Sequence, residues 1–216
     1  MAAYLLGSIP TGYLAGRARG VDIRTVGSGN MGATNVFRTL GKTAGAIVLV
    51  VDGLKGYAAC AFLPPLIFNW LAPHFSGLAP RFQAEPVELQ IRFNVAAGVF
   101  AVLGHNFTCW LKFKGGKGIA TSAGVFFALA PLAVVIALGA WIIVFALSRY
   151  VSVASIAAAV ALPATVWLTP NSLTLRIVTT ALGLLAIAKH KSNIERLFHG
   201  TERRFDKKTA TPEATK

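Results

Sequence analysis

The sequence predicts an all-α, polytopic membrane bundle of about seven transmembrane helices, with the N-terminus outside and the C-terminus cytoplasmic. Three observations lead there. Hydrophobic residues make up 55% of the chain, and the mean hydropathy is +0.61. Charged residues make up only 13%, about half the share found in soluble domains. The formal net charge of +13 gathers in the loops between apolar runs. That pattern sets topology across a bilayer and does not suggest a nucleic-acid binder.

The segments follow in order. Residues 2–18 form a first, short apolar run, with no A-x-A-type cleavage site after it, so a cleavable signal peptide is not expected. Residues 43–70 form a second, long enough to tilt. A proline-bearing external loop over 73–92 leads into a third, 87–107. The run 119–146 is interrupted by Pro131, and charge bookkeeping favours two helices over one. With two, Arg17, Arg24, Arg38, Lys42, the lysines of 112–117, Arg149 and the basic C-terminus share one side, while the other keeps Arg81, Arg92 and Arg176. Residues 151–168 and 172–189 complete the seven. The length allows one domain, over 1–204, followed by a polar tail at 205–216 expected to be disordered. Cys60 and Cys109 fall at different predicted depths, so no disulfide is expected. No internal repeat is visible.

Three polar clusters converge on the cytoplasmic face in this topology. The first is TVGSGNMGATNVFR, 25–38. Glycines at 27, 29 and 32 would permit positive φ and close approach to a ligand, and successive amides could form an anion nest. Ser28, Asn30, Thr34 and Asn35 add neutral groups, and Arg38 a charged, bidentate phosphate donor. The competing reading is a flexible interhelical turn. The second is FKGGKG, 113–118, lysines around glycines at a helix start, where free N–H groups favour anions. It is not a Walker A loop, because Lys117 is followed by glycine. A positive-inside anchor would explain Lys112 and Lys114 but not Gly115, Gly116 and Gly118 around Lys117. The third is split: Ser148, Ser152 and Ser155 at i, i+4 and i+7, and His190 with Asn193 at i, i+3. Packing serines and a capping histidine are the plainer alternatives. Asp52 and Lys55, also i, i+3, lie inside the second segment. A structural pair is the reading favoured there.

Together these motifs resemble a known family. G-S-I-P-x-G (7–12), D-I-R-x-x-G-S-G-N-x-G-x-T-N-x-x-R (22–38), D-x-x-K-G (52–56), G-H-x-F…F-K-G-G-K-G-x-A-T (104–121) and H-x-x-N-I-x-R-L-x-x-G-x-E (190–202) are similar to the PlsY-type acyl-phosphate:glycerol-3-phosphate acyltransferases of bacterial membranes. The resemblance covers nearly the whole chain. It implies acyl transfer from acyl phosphate to the 1-hydroxyl of sn-glycerol 3-phosphate, giving lysophosphatidic acid and inorganic phosphate, at the cytoplasmic side of the bacterial inner membrane. It implies that Ser28, Arg38, Lys117, Ser155, His190 and Asn193 stand at substrate-binding or catalytic positions. Gly29, Asn30, Asn35, Gly115, Gly116 and Gly118 fall in the same motifs as phosphate-binding candidates. No cofactor, metal or nucleic acid is implied, and oligomeric state is not readable. Thr108-Cys109-Trp110 and the long external loop depart from the family pattern. Rival readings are an anion transporter, which should carry midplane polar residues and repeats, an acyl-CoA-dependent acyltransferase, whose H-x-x-x-x-D dyad is absent at His105, and a structural protein with lipid-binding basic loops.

Overall fold

A computed structural model describes residues 1–71 and 86–205, and every described element is helical. The first apolar run is two short helices, α1 (Ala2–Ser8) and α2 (Thr11–Arg17). They part at Ile9 and Pro10, because proline lacks an amide donor and its ring forces the preceding residue out of the helical region. Ile9 is accordingly at φ −54°, ψ 116°. The glycine-rich loop then enters α3 (Ala33–Leu40), and Gly41 turns the chain into α4 (Lys42–Ala61). The expected single segment 43–70 divides at Phe62. Pro64 and Pro65 occupy the first turn of a new helix, α5 (Leu63–Leu71), where their missing donors cost nothing.

The second half comprises α6 (Pro86–Asn106), a 3₁₀ turn (Cys109–Leu111), α7 (Ile119–Leu129), α8 (Pro131–Ser148), α9 (Val151–Leu168), α10 (Leu173–Lys189) and α11 (Lys191–Phe198). The break at Pro131 is present: Ala130 leaves the helical region at φ −149°, ψ 67°, and Pro131 opens α8. Arg149, at φ 60°, closes α8 in the left-handed region. This overturns one expectation. Ser148 ends α8, back-bonded to the Val144 carbonyl at 2.7 Å, and does not share a face with Ser152 and Ser155 of α9.

Among the described residues, α4, α8 and α9 are long and apolar enough to cross a membrane. A fourth crossing results if α10 and α11, bent by 52° at their junction, are taken as one. The seven crossings expected from the sequence are therefore not matched helix for helix. At seven residues each, α1 and α2 fall short of a span individually. The expected external loop lies mostly, and the tail after Phe205 entirely, outside the described residues.

Packing is tightest between α4 and α7. A Cβ on Gly124 would lie 1.9 Å from the Gly53 carbonyl oxygen, and one on Gly56 2.2 Å from that of Thr121. In lipid there is no hydrophobic drive between helices, so such small-residue contacts do the holding. Phe126, Val125, Val102 and Val166 form the centre between α6, α7 and α9. The outer faces carry exposed Leu132, Val135 and Ile143, as a lipid-facing belt requires. Asp52 and Lys55 form the expected pair at 2.7 Å, both buried. Cys60 and Cys109 are both free thiols, as expected.

Candidate active site

The loop bearing Lys117 is seated on the end of α6. A helix leaves its last carbonyls without intrahelical donors. Here the amides of Gly115 and Gly116 donate to Asn106 O (3.2 Å) and His105 O (3.0 Å). A Cβ on Gly115 would lie 2.0 Å from His105 O, and one on Gly116 2.1 Å from His105 Nε2. These two amides therefore face the scaffold, not the solvent side where a phosphate would enter. Their glycines are required for contact. Gly118, at φ 81°, caps α7. Lys117, half-buried just before that cap, donates its Nζ to Asn193 Oδ1.

The first glycine-rich loop is organised by Asn35. Its Oδ1 accepts from the Ser28 amide (2.9 Å), and its Nδ2 donates to Ile23 O and Val26 O, each at 3.1 Å. Asn35 is buried, and these bonds occupy both ends of its amide, so what it does here is shape the loop. Asn30 Oδ1 likewise accepts from the Gly32 amide at 2.8 Å. Gly27 and Gly29 have positive φ, 62° and 68°. Gly32 does not: at φ −71°, ψ 160° it is the extended N-cap of α3. Ser28 and Gly29 are exposed at the tip. At the loop's entry Arg24 grips Asp22 with bonds of 2.9 and 2.6 Å, which hold that carboxyl down to about 2.

Lys117, Asn193 and Arg38 meet around Glu202. Glu202 Oε1 accepts from Asn193 Nδ2 (2.7 Å) and Ser152 Oγ (2.8 Å), and its Oε2 accepts from Arg196 Nε (2.7 Å). Burial would raise this carboxyl's pKa, but those three bonds and the Arg196 charge hold it below the usual range. Burial, opposed by Glu202 and reinforced by Arg196 and Arg38, brings the Lys117 ammonium down to about 8. The chain end completes the arrangement. Arg38 donates to Arg203 O at 3.1 Å, and the Phe205 amide donates to Arg149 O at 2.9 Å. The Phe205 ring lies between Phe37 and Phe145, with centroids 5.2 and 5.6 Å away. Residues 201–205 thus form a strap from α11 across to α3 and α8.

His190 and Ser155 stand where this polar group meets an apolar cavity. His190 is buried, with Nδ1 2.7 Å from Ala186 O. A carbonyl only accepts, so Nδ1 carries the proton, and Nε2 of the neutral ring is an acceptor. Ala186, with Ile119, Trp141, Ala158 and Leu162, lines a cavity of about 170 Å³ between α7, α8, α9 and α10. Ser155 Oγ accepts from Trp141 Nε1 at 3.3 Å, so this serine lies on the cavity's edge.

The structure therefore brings Lys117, Asn193 and Arg38 into one electrostatic group and sets His190 and Ser155 beside the cavity. No hydrogen bond joins Ser28 to that group among the described residues. Ser152 appears in the sequence only in the serine spacing, and Arg196 and Glu202 only as letters of the last motif; the sequence assigns none of the three a role. A signal existed: Glu202 is one of only eight acids, set in a basic run that must balance it.

Comparisons with known proteins agree with one another. Residues 1–200 match the model of a family described as glycerol-3-phosphate acyltransferase. A glycerol-3-phosphate acyltransferase of Trichlorobacter lovleyi is 45% identical over 203 residues, 94% of each chain. One of Geobacter metallireducens is 51% identical over 203 residues, again 94% of each. Two crystal structures of PlsY (YgiH), an integral membrane glycerol 3-phosphate acyltransferase, are similar. The glycerol 3-phosphate form has a TM-score of 0.79 at 37% identity, covering 94% of this chain and 92% of that one. The lysophosphatidic acid form has 0.77 at 34% identity, covering 96% and 94%.

Proposed function

Since the chain belongs to the glycerol-3-phosphate acyltransferase family, and is thus a membrane acyltransferase, we propose that it acylates the 1-hydroxyl of sn-glycerol 3-phosphate from an acyl phosphate. In this reaction an ester bond forms between the glycerol oxygen and the acyl carbon. The acyl carbon–phosphate oxygen bond breaks, and inorganic phosphate leaves with lysophosphatidic acid as the other product. The observation that carries the reading is continuity: the cationic group of Lys117 and Arg38 borders, through His190 and Ala186, an apolar cavity. A donor with an anionic head and a long apolar tail needs that juxtaposition.

Roles follow from chemistry. Two phosphates must sit close together, and their repulsion has to be offset by fixed positive charge. Lys117 takes the donor phosphate and the oxyanion developing on the acyl carbon. Arg38 and Ser28 hold the second phosphate, with Arg38 exchanging the Arg203 carbonyl for substrate. Asn193 and His190 position glycerol 3-phosphate. Acyl phosphate is already activated, so orientation supplies much of the rate, and a substrate phosphate can accept the hydroxyl proton. Asn35, Asn30, Gly115, Gly116 and Gly118 act by shaping the two loops, and Ser155 lies along the tail. In this reading the chain is a seven-crossing protein of the bacterial inner membrane, with its site on the cytoplasmic side, serving phospholipid synthesis.

The test is purified protein in detergent or lipid, given palmitoyl phosphate and glycerol 3-phosphate, with palmitoyl-CoA as control donor. Stoichiometric release of phosphate and lysophosphatidic acid from acyl phosphate alone is expected. Turnover only with the CoA ester overturns the donor assignment.

A further inference from the structure

A second group of buried polar side chains lies outside the anion site and below its loop. Asp52 Oδ1 accepts from Lys55 Nζ at 2.7 Å and from Thr11 Oγ1 at 3.0 Å, and it lies 3.6 Å from His105 Nδ1. Lys55 Nζ also donates to Ile9 O at 2.9 Å, a carbonyl at the Pro10 break that accepts the Thr11 amide at 3.0 Å as well. Asp52, Lys55 and His105 are each less than a tenth exposed. Charged groups are kept at such depth only when they partner one another. This group ties the break between α1 and α2, the middle of α4 and the last turn of α6 into one rigid unit.

His105 points both ways. Its Nδ1 edge faces Asp52. Its Nε2 edge lies where a side chain on Gly116 would have to begin, 2.1 Å from that Cβ position. Its carbonyl accepts the Gly116 amide at 3.0 Å. The imidazole and its backbone thus hold the residue immediately before Lys117 from two sides.

We infer that His105, braced by Asp52 and Lys55, is a positioning residue that fixes the Gly115–Gly116 turn and through it the reach of Lys117. This rests on the reading of Lys117 as the group that meets the reacting phosphate. His105 touches no substrate. It acts by limiting where the Lys117 ammonium can stand, and displacement by an ångström at such a distance costs as much as about a hundredfold in rate. Asp52 and Lys55 set the ring's orientation from the other side, so the membrane-buried pair and the loop form one mechanical unit.

The experiment is a double-mutant cycle on the full chain, with His105→Ala, Lys117→Ala and both together. Each variant is checked for monodispersity and thermal midpoint, and assayed for kcat and for KM toward glycerol 3-phosphate. His105→Ala is expected to lower kcat by roughly 10- to 100-fold, with KM changed less than about threefold. The double variant is expected to be no slower than Lys117→Ala alone, since a residue acting only through Lys117 has nothing left to act on. A generic loss of fold would not give that pattern. Losses that multiply in full, or wild-type kcat in His105→Ala while Lys117→Ala is inactive, overturn the inference. Wild-type turnover in Lys117→Ala alone refutes the site reading on which it rests, and is read without reference to His105. Should His105→Ala not fold, His105→Asn keeps a polar side chain beside Asp52 but withdraws the ring from Gly116. The same kcat loss is expected, and wild-type kcat there overturns the inference equally.

Discussion

Glu202→Gln should move the alkaline limit of activity downward, and the size of the shift follows from the geometry. Glu202 and Lys117 are bridged by the Asn193 amide, Lys117 donating to one end and Glu202 accepting from the other. One amide and two hydrogen bonds place the charges on the order of 7 Å apart, worth about 2.4 kcal/mol at an effective dielectric near 20. Lys117 is only half-buried, so solvent screening brings this to about 1.4 kcal/mol, or about one pKa unit. Burial already lowers Lys117 to about 8, and the Glu202 charge is the force holding it up. Removing that charge lowers the pKa further. The sign is definite. On the proposed reading the ammonium is the active form, so activity is full below the Lys117 pKa and lost as pH rises through it. The pH profile of kcat/KM reports the free enzyme. Its alkaline limb should lie near 8 in the wild type and about one unit lower in the variant. The acid limb, set by substrate phosphates with a second pKa near 6, should stay in place. An unmoved alkaline limb, or one that moves upward, would falsify the electrostatic link between the two residues even if the variant were slow.

Three other outcomes are expected. Lys117→Arg keeps a cation that does not titrate in this range, so it should erase the alkaline limb while lowering kcat through altered shape, as read from the same profiles. Gly124→Ala puts a methyl against the Gly53 carbonyl, 1.9 Å from its ideal position. It should lower stability by about 1–3 kcal/mol in thermal unfolding in detergent. Asp52→Asn leaves the Lys55 ammonium buried without its carboxylate and should destabilise by about 3–5 kcal/mol. Asp52→Asn combined with Lys55→Met removes both charges and should recover much of that loss in the same measurement.

Parts of this architecture are legible in the chain wherever a single residue dictates the backbone. Pro131 lacks an amide donor and crowds the preceding turn, and it divides α7 from α8 as expected. Asp52 and Lys55 are three apart on one helix, and they pair. Pro10 and Pro64–Pro65 carry the same kind of signal, yet the long apolar runs around them conceal it, because hydropathy averages over breaks that sterics impose locally. The serine spacing fails for a related reason. Residues 148, 152 and 155 share a helical face only if the helix is continuous, and Arg149 turns left-handed between them. The site was partly readable. Glycine-rich loops with lysine and arginine point to anions, but composition does not say which amides face outward. Gly115 and Gly116 face the end of α6, a contact with His105 and Asn106 that appears only once the intervening turn has folded back. Glu202 stands in the last motif, but its role is not legible there, because it comes from three partners that converge only in the fold.

The strap has a consequence for how the protein comes into being. Asn193 follows Lys117 by 76 residues, and Arg196, Glu202 and Phe205 come later still. During synthesis every earlier segment enters the membrane before these residues leave the ribosome. A nascent or prematurely terminated chain can therefore possess the lysine loop and the apolar cavity and still have no assembled centre. On the proposed reading, acylation competence arrives only once residues 190–205 have been made. An appendage joined directly at Phe205 would press on the wedge between Phe37 and Phe145, whereas one separated by a flexible spacer would leave it in place.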